Sequence, residues 1–310
     1  MSVDQVSSAW VPLAAALLLA VAAAAAALDG ALAARSLGHH PASGLLTPVA
    51  ETARLFRQRR RSTLAADVPL WRIGGAGLLT AALLMVVVVP LGRWTVADLA
   101  VGVVWFNAMD VLLWAAVWLA GWGPNSAHAL VGGFRFLAQA LAYELPLMFA
   151  LTTPAVAAQS LRLGDLVAAQ EGLWFVVWMP VAFVVFCGAV LAFSVWGPFA
   201  AATGSTTAGG VLAETSGVDR WLVTAGRYAL LTAGAAFGAT AFLGGGQGPL
   251  LPAWLWTLLK TAALLAVLVA LRRRLPVLRP ERLVAPAWLV VLPLTLLQLL
   301  VVSVVVVVRG

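Results

Sequence analysis

Charge is scarce in this chain of 310 residues: 10% of positions are Asp, Glu, Lys or Arg, while 63% are hydrophobic. So few charges cannot cover that much apolar surface, which excludes a water-exposed globule and makes lipid the main solvent. Cysteine is scarcer still. The single Cys187, inside an apolar run, excludes internal disulfides and any cysteine-built zinc or iron–sulfur centre, since those draw about four ligands from the chain. Any redox centre therefore belongs to a partner. Lysine is nearly absent: Lys260 stands alone among 19 basic residues, and the rest are Arg in short clusters between apolar runs. The formal net charge of +7 thus reads as a topology signal and not as a nucleic-acid surface. Nucleotide-binding glycine loops, nucleophile elbows and His-based metal motifs are missing as well. His39 and His40 are adjacent in sequence and cannot share a helix face, so a wet loop suits them better than a metal.

What is present is a series of runs near the ~20 apolar residues that cross a ~30 Å hydrocarbon core. Eight spans are expected, at about 10–28, 72–91, 99–121, 130–159, 173–196, 220–243, 250–271 and 286–308, giving one all-α polytopic membrane domain over 1–310. The fourth is long enough to tilt, or to break at Pro146 or Pro154. Arginine divides the loops. The odd-numbered ones hold Arg35, Arg54, Arg57, Arg59, Arg60, Arg61, Arg135, Arg220, Arg272, Arg273, Arg274, Arg279 and Arg282, whereas the even-numbered ones hold Arg93 and Arg162. The odd loops, about 29–71, 122–129, 197–219 and 272–285, are then cytoplasmic and both termini lie outside. Before the first apolar run stands Asp4 and no basic residue, so that run reads as a retained helix and not as a signal peptide.

Within the first loop, Thr47 is expected to cap a helix begun by Pro48, and Leu45, Val49, Leu55 and Phe56 to form one apolar side of a helix lying on the membrane surface. The Gly/Ser/Thr-rich stretch 203–217 predicts a flexible loop. Gly234 and Gly238 form a GxxxG pair suited to close helix packing. Trp71, Trp94, Trp122, Trp254 and Trp288 fall near span ends, where interfacial anchors sit.

An ionisable group at bilayer depth costs ~2.5–3.5 kcal/mol on insertion scales, which makes Asp110, Glu144 and Lys260 candidates for function. Asp110 follows Asn107 by three residues, so the two share a helix face; a polar stripe and a structural hydrogen-bonding pair are equal readings. Glu144 precedes Pro146, and Arg135, Gln139 and Tyr143 lead towards it at i, i+4, i+8 spacing, a candidate hydrated path. Lys260, about ten residues into its helix, is too deep to snorkel easily; proton relay and a helix-tying salt bridge are the two readings.

Residues 121–146, GWGPNSAHALVGGFRFLAQALAYELP, resemble the H-type (subunit 1) membrane subunits of the NADH–quinone oxidoreductases, complex I, a family which also includes membrane subunits of formate hydrogenlyase and energy-converting hydrogenases. GLLTPVAETARLF at 44–56, LLKT at 258–261 and LPVLRPERL at 275–283 fall in register with that family's motifs, so the likeness covers roughly 30–300. The resemblance implies a multi-pass protein of the bacterial cytoplasmic membrane that anchors a hydrophilic iron–sulfur arm, contributes to a shared quinone cavity and links it to proton-translocating membrane subunits. It places Glu144 and Glu214 with Asp110 and Lys260 as proton-relay candidates. Glu51, Arg54, Arg135, Arg279, Pro198 and Phe199 become candidates for the quinone or redox-arm interface. No cofactor is then bound by this chain alone, and nucleic acid is no partner.

One segment departs from the pattern. After the fifth span the family carries AETNRAPFDLPEAESE, where this chain reads AFSVWGPFAAATGS at 192–205. Phe193 and Trp196 occupy a Glu and an Arg position, and the acidic string has become Ala, Thr, Gly and Ser. That loss leaves three alternatives open: the hydrogenase branch, in which no quinone need bind; a scaffold without coupling; and, outside the family, a stand-alone ion or solute transporter.

Overall fold

A computed structural model of the chain describes residues 3–206 and 208–309, and in it the apolar runs are helices. In chain order these are α1 (Val11–Ser36), α2 (Ala42–Leu45), α3 (Thr47–Arg57), α4 (Val68–Val86), α5 (Gly102–Trp122), α6 (Ala127–Ala158) and α7 (Leu163–Ala168). There follow α8 (Phe175–Trp178), α9 (Pro180–Phe193), α10 (Gly217–Phe242), α11 (Ala253–Arg274), α12 (Pro280–Pro286) and α13 (Leu292–Arg309). Proline stands in the first turn of α1, α3, α4, α9 and α12, where its missing N–H would have had no helical partner. A two-residue parallel pairing of β1 (Asp4–Gln5) with β2 (Trp94–Thr95) ties the N-terminal segment to the turn after α4.

Seven helical segments among the described residues are long and apolar enough to cross a membrane: Ser8–Ser36, Val68–Val86, Gly102–Trp122, Ala127–Ala158, Pro180–Thr203, Ala253–Arg274 and Pro280–Val308. The chain is an all-α integral membrane protein. The expected sixth span is α10, equally long but carrying Asp219, Arg220 and Arg227. It can be less apolar because protein surrounds it, with α1, α3, α4, α9 and α11 packed against it. Gly234 and Gly238 face Val190 and Phe186 of α9 with no room for a Cβ, which is the close packing the GxxxG spacing predicts. The centre is aromatic: Phe106 stacks on Phe237 at 3.9 Å between ring centroids, with Phe186 and Phe193 on its other sides.

Several expectations are corrected. At 32 residues α6 would be about 48 Å long and must tilt in a ~30 Å core, yet it runs through Pro146 and Pro154 without a break. The break falls in the fifth span instead, where Met179 interrupts the helix ahead of Pro180. Thr47 lies inside α3 and caps nothing, since the N-cap position is Leu46. Trp71 is buried at 4% exposure and is not an interfacial anchor, whereas Trp94, Trp122, Trp254 and Trp288 are exposed. The part of the 203–217 loop from 209 to 217 is tucked in and tied down: Gly210 N–H donates to His128 O at 2.8 Å, Val211 N–H to Ala202 O at 2.9 Å, and Val211, Leu212 and Thr215 are buried.

Candidate functional site

α5 and α6 pack together, and the spacing of Asn107 and Asp110 turns both towards α6. Asn107 Nδ2 donates to Glu144 Oε1 at 3.0 Å, and the Tyr143 hydroxyl donates to Asp110 Oδ1 at 3.0 Å. Asp110 is fully buried. One turn back along α6, Gln139 Nε2 donates to Ala192 O of α9 at 2.7 Å. Asn107 Oδ1, Asp110 Oδ2, Gln139 Oε1 and Glu144 Oε2 are buried acceptors with no donor among the described residues. The seam between α5 and α6 is therefore rich in acceptors and short of hydrogens, an arrangement that buried polar groups rarely tolerate.

Arg135, Gln139 and Tyr143 do form a stripe leading to Glu144, but it is packed and not open. Arg135 Nη1 donates to Gly209 O at 2.9 Å and so holds the segment after α9 against α6. Ser126 donates to Glu214 at 2.7 Å on the same segment, and the buried Pro198 accepts from Leu278 N–H at 2.8 Å. Phe199 packs half-buried on the core, and exposed Arg279 is the N-cap residue of α12. Glu214, Arg135, Pro198 and Phe199 thus meet on one segment, at some remove from the Asp110–Glu144 pair. Glu51 and Arg54 lie elsewhere, on α3, joined by an Arg54 Nε donor at 2.7 Å. That hydrogen bond from Arg54 holds the Glu51 carboxyl below its ordinary range, against the opposing pull of burial.

Among the described residues no carboxylate pairs with Lys260. Its Nζ donates to Leu243 O at 2.6 Å and Gln247 O at 2.7 Å, carbonyls at and beyond the end of α10, and lies 4.1 Å from the Trp174 ring centroid. A cation placed there answers the partial negative charge of a helix C-terminus.

Sequence reasoning missed a second polar cluster. Asp29, just beyond the end assigned to the first span, accepts from Arg272 at 2.9 Å, from Arg273 at 2.6 Å and from the Tyr228 hydroxyl at 2.9 Å. Arg227, 5% exposed, lies 3.5 Å from the Trp196 ring centroid and Arg272 lies 3.8 Å from it. The Arg227 guanidinium also donates to Val195 O. Trp196, at a position where the family pattern has Arg, is thus a platform for two guanidinium groups, and one carboxylate, Asp29, is shared by Arg272 and Arg273. The signal was available: Arg227 is an ionisable residue well inside the sixth span, and moving the first boundary by one residue brings Asp29 into the set of buried charges.

Beside this cluster a cavity of about 560 Å³ opens between α1, the α2–α3 segment and α10. Alanines of α1 give it an apolar side; Asp29 of the same helix lines it too, and Glu51, Thr52, Trp221, Tyr228 and Arg273 reach it from the other elements. α3 is fastened there by Trp221, whose Nε1 donates to Thr52 at 3.1 Å and whose ring meets Phe56 edge-on at 5.3 Å. Among the described residues no group of three His, Cys, Asp or Glu could hold a metal ion.

A helical bundle with a carboxyl pair between α5 and α6, a guanidinium–indole cluster at the end of α11 and a largely apolar cavity beside that cluster defines a polytopic membrane protein with ionisable groups buried among its helices. The family described as NADH dehydrogenase matches residues 9–303. The second H-type subunit of NADH-quinone oxidoreductase from Geobacter sulfurreducens is 37% identical over 270 residues, covering 83% of this chain and 82% of that protein. Its counterpart from Cereibacter sphaeroides is 39% identical over 265 residues with the same coverage, and the first H-type subunit from Geobacter metallireducens is 37% identical over 270. The chain belongs to the family of H-type membrane subunits of NADH-quinone oxidoreductase, complex I.

Proposed function

We propose that this chain is the membrane subunit of a complex I-like NADH–quinone oxidoreductase in the bacterial inner membrane. It seats a hydrophilic iron–sulfur arm on its arginine-rich face, contributes the cavity between α1, α3 and α10 to a quinone site, and passes protons along the α5–α6 seam. The four donor-poor acceptor oxygens of Asn107, Asp110, Gln139 and Glu144 carry this reading, because protons or water are what can satisfy them at that depth. The cavity's volume lies within the ~300–1,000 Å³ range of small-molecule sites, and its apolar side with a few polar groups suits a quinone head and tail. Lys260 stands apart from the seam, at the far end of α10, as a helix-end latch.

Purification in mild detergent tests the subunit reading. Iron–sulfur and other membrane subunits should come with the chain; recovery of the chain alone, moving solute in liposomes, contradicts it. A second reading, a quinone-free member of the hydrogenase branch, is favoured by one observation: Phe193, Trp196 and an uncharged 200–205 stand where the family pattern is acidic and basic. A quinone-site inhibitor that protects neither α3 nor the segment after α9 from chemical labelling supports that branch.

A further inference from the structure

A different cavity, also of about 560 Å³, lies at the end of the bundle away from the arginine-rich loops. The first turns of α1, the end of α4 with its following turn, the second half of α10 and the first half of α11 enclose it, and its walls are largely aliphatic, including Leu13, Leu17, Val86 and Leu258. Trp94 and Trp254 line it and also line a second hollow of about 640 Å³, which contains Arg93 and the turn 246–253. The two hollows are therefore continuous in chemistry: an apolar slot, two indoles, then a cation.

Arg93 is the informative residue. Two arginines occupy the loops at this end, and Arg162 is paired with Asp98. Arg93 is exposed and has no carboxylate partner among the described residues. A guanidinium at the polar mouth of an apolar slot, flanked by indoles that favour the membrane interface, matches a phosphate-headed amphiphile in charge, order and polarity.

We propose that these hollows form a binding site for one anionic phospholipid, with an acyl chain in the slot and the phosphate on Arg93. The lipid joins α1 to α11 across the turn after α4, where helix-to-helix contact gives way to the cavity. Nothing in this depends on quinone binding or proton transfer elsewhere in the chain. Selectivity for the headgroup is the discriminating claim, because any lipid chain can fill an apolar groove.

The test uses the full chain within its purified complex, stripped of lipid in mild detergent and exposed to phosphatidylglycerol carrying a photoreactive group midway along one acyl chain. Labelled peptides should map to the first half of α1, residues 86–96 and the first half of α11. Unlabelled phosphatidylglycerol should compete about fivefold better than phosphatidylcholine with the same chains, the increment expected of one basic residue at an anionic headgroup. Arg93→Gln should abolish that preference while labelling persists, and Ala14→Trp, which fills the slot, should abolish labelling. Equal competition by the two lipids, a preference that survives Arg93→Gln, or crosslinking of the slot to a neighbouring polypeptide would each overturn the proposal.

Discussion

Asn107 on α5 donates to Glu144 on α6 at 3.0 Å, while one turn away the same two helices are joined by Tyr143 donating to Asp110 at 3.0 Å. These reciprocal ties set two carboxyl groups side by side in the protein interior, each with one oxygen left without a donor. Two neighbouring carboxylates with one donor apiece repel each other in a medium that screens poorly. A proton that moves onto or off this pair therefore changes the local energy substantially, which is the property a relay needs.

Asp29→Asn should leave Arg272 and Arg273 without their shared carboxylate. Asp29 and Arg272 are largely buried, with side chains 8% and 13% exposed, so the loss should approach the ~3–5 kcal/mol typical of breaking a buried pair. Thermal unfolding of the assembled complex should show it as a marked drop in midpoint. An unchanged midpoint means the arginines find other partners.

Trp196→Ala should be worse than Trp196→Phe. The indole supports two guanidinium groups, each contact worth up to ~2 kcal/mol when desolvated, and a large-to-small change adds ~3–5 kcal/mol for the cavity. The phenylalanine variant keeps a ring face and should retain assembly. Yield of intact complex after detergent extraction measures the ranking, and equal loss in both variants would show that the ring face is not what matters.

Lys260→Met should remove two charge-assisted hydrogen bonds to Leu243 O and Gln247 O, costing about 1–3 kcal/mol and loosening the turn after α10. Proton translocation per assembled complex should be unchanged, because Lys260 touches carbonyls and indoles and not the carboxyl pair. Normal stability with lost translocation would instead restore Lys260 as a relay residue.

Much of this was legible in the sequence. Apolar run length located the helices, and the three-residue step from Asn107 to Asp110 put both on the face that meets α6. Long-range partners were not legible: no local pattern says that Gln139 will donate to Ala192, or that Lys260 will bend towards the end of α10. Trp196 and Arg227 read singly as a departure and an unremarked charge; only folding brings them within 3.5 Å. The stretch 203–217 misled for a related reason. Its composition favours flexibility, but its backbone finds acceptors and donors on His128, Arg135 and Ala202 once α6 lies beside it.

The most direct test is the number of protons translocated per electron by the purified complex in proteoliposomes, with Glu144→Gln compared against unaltered protein at matched NADH–quinone turnover. Replacing a group that accepts and releases the proton should cut coupled translocation on the order of 10²-fold while the neutral, near-isosteric side chain preserves assembly. Asp110→Asn should give the same phenotype, because the pair acts together. An undiminished proton-to-electron ratio in both variants would contradict the account at its centre.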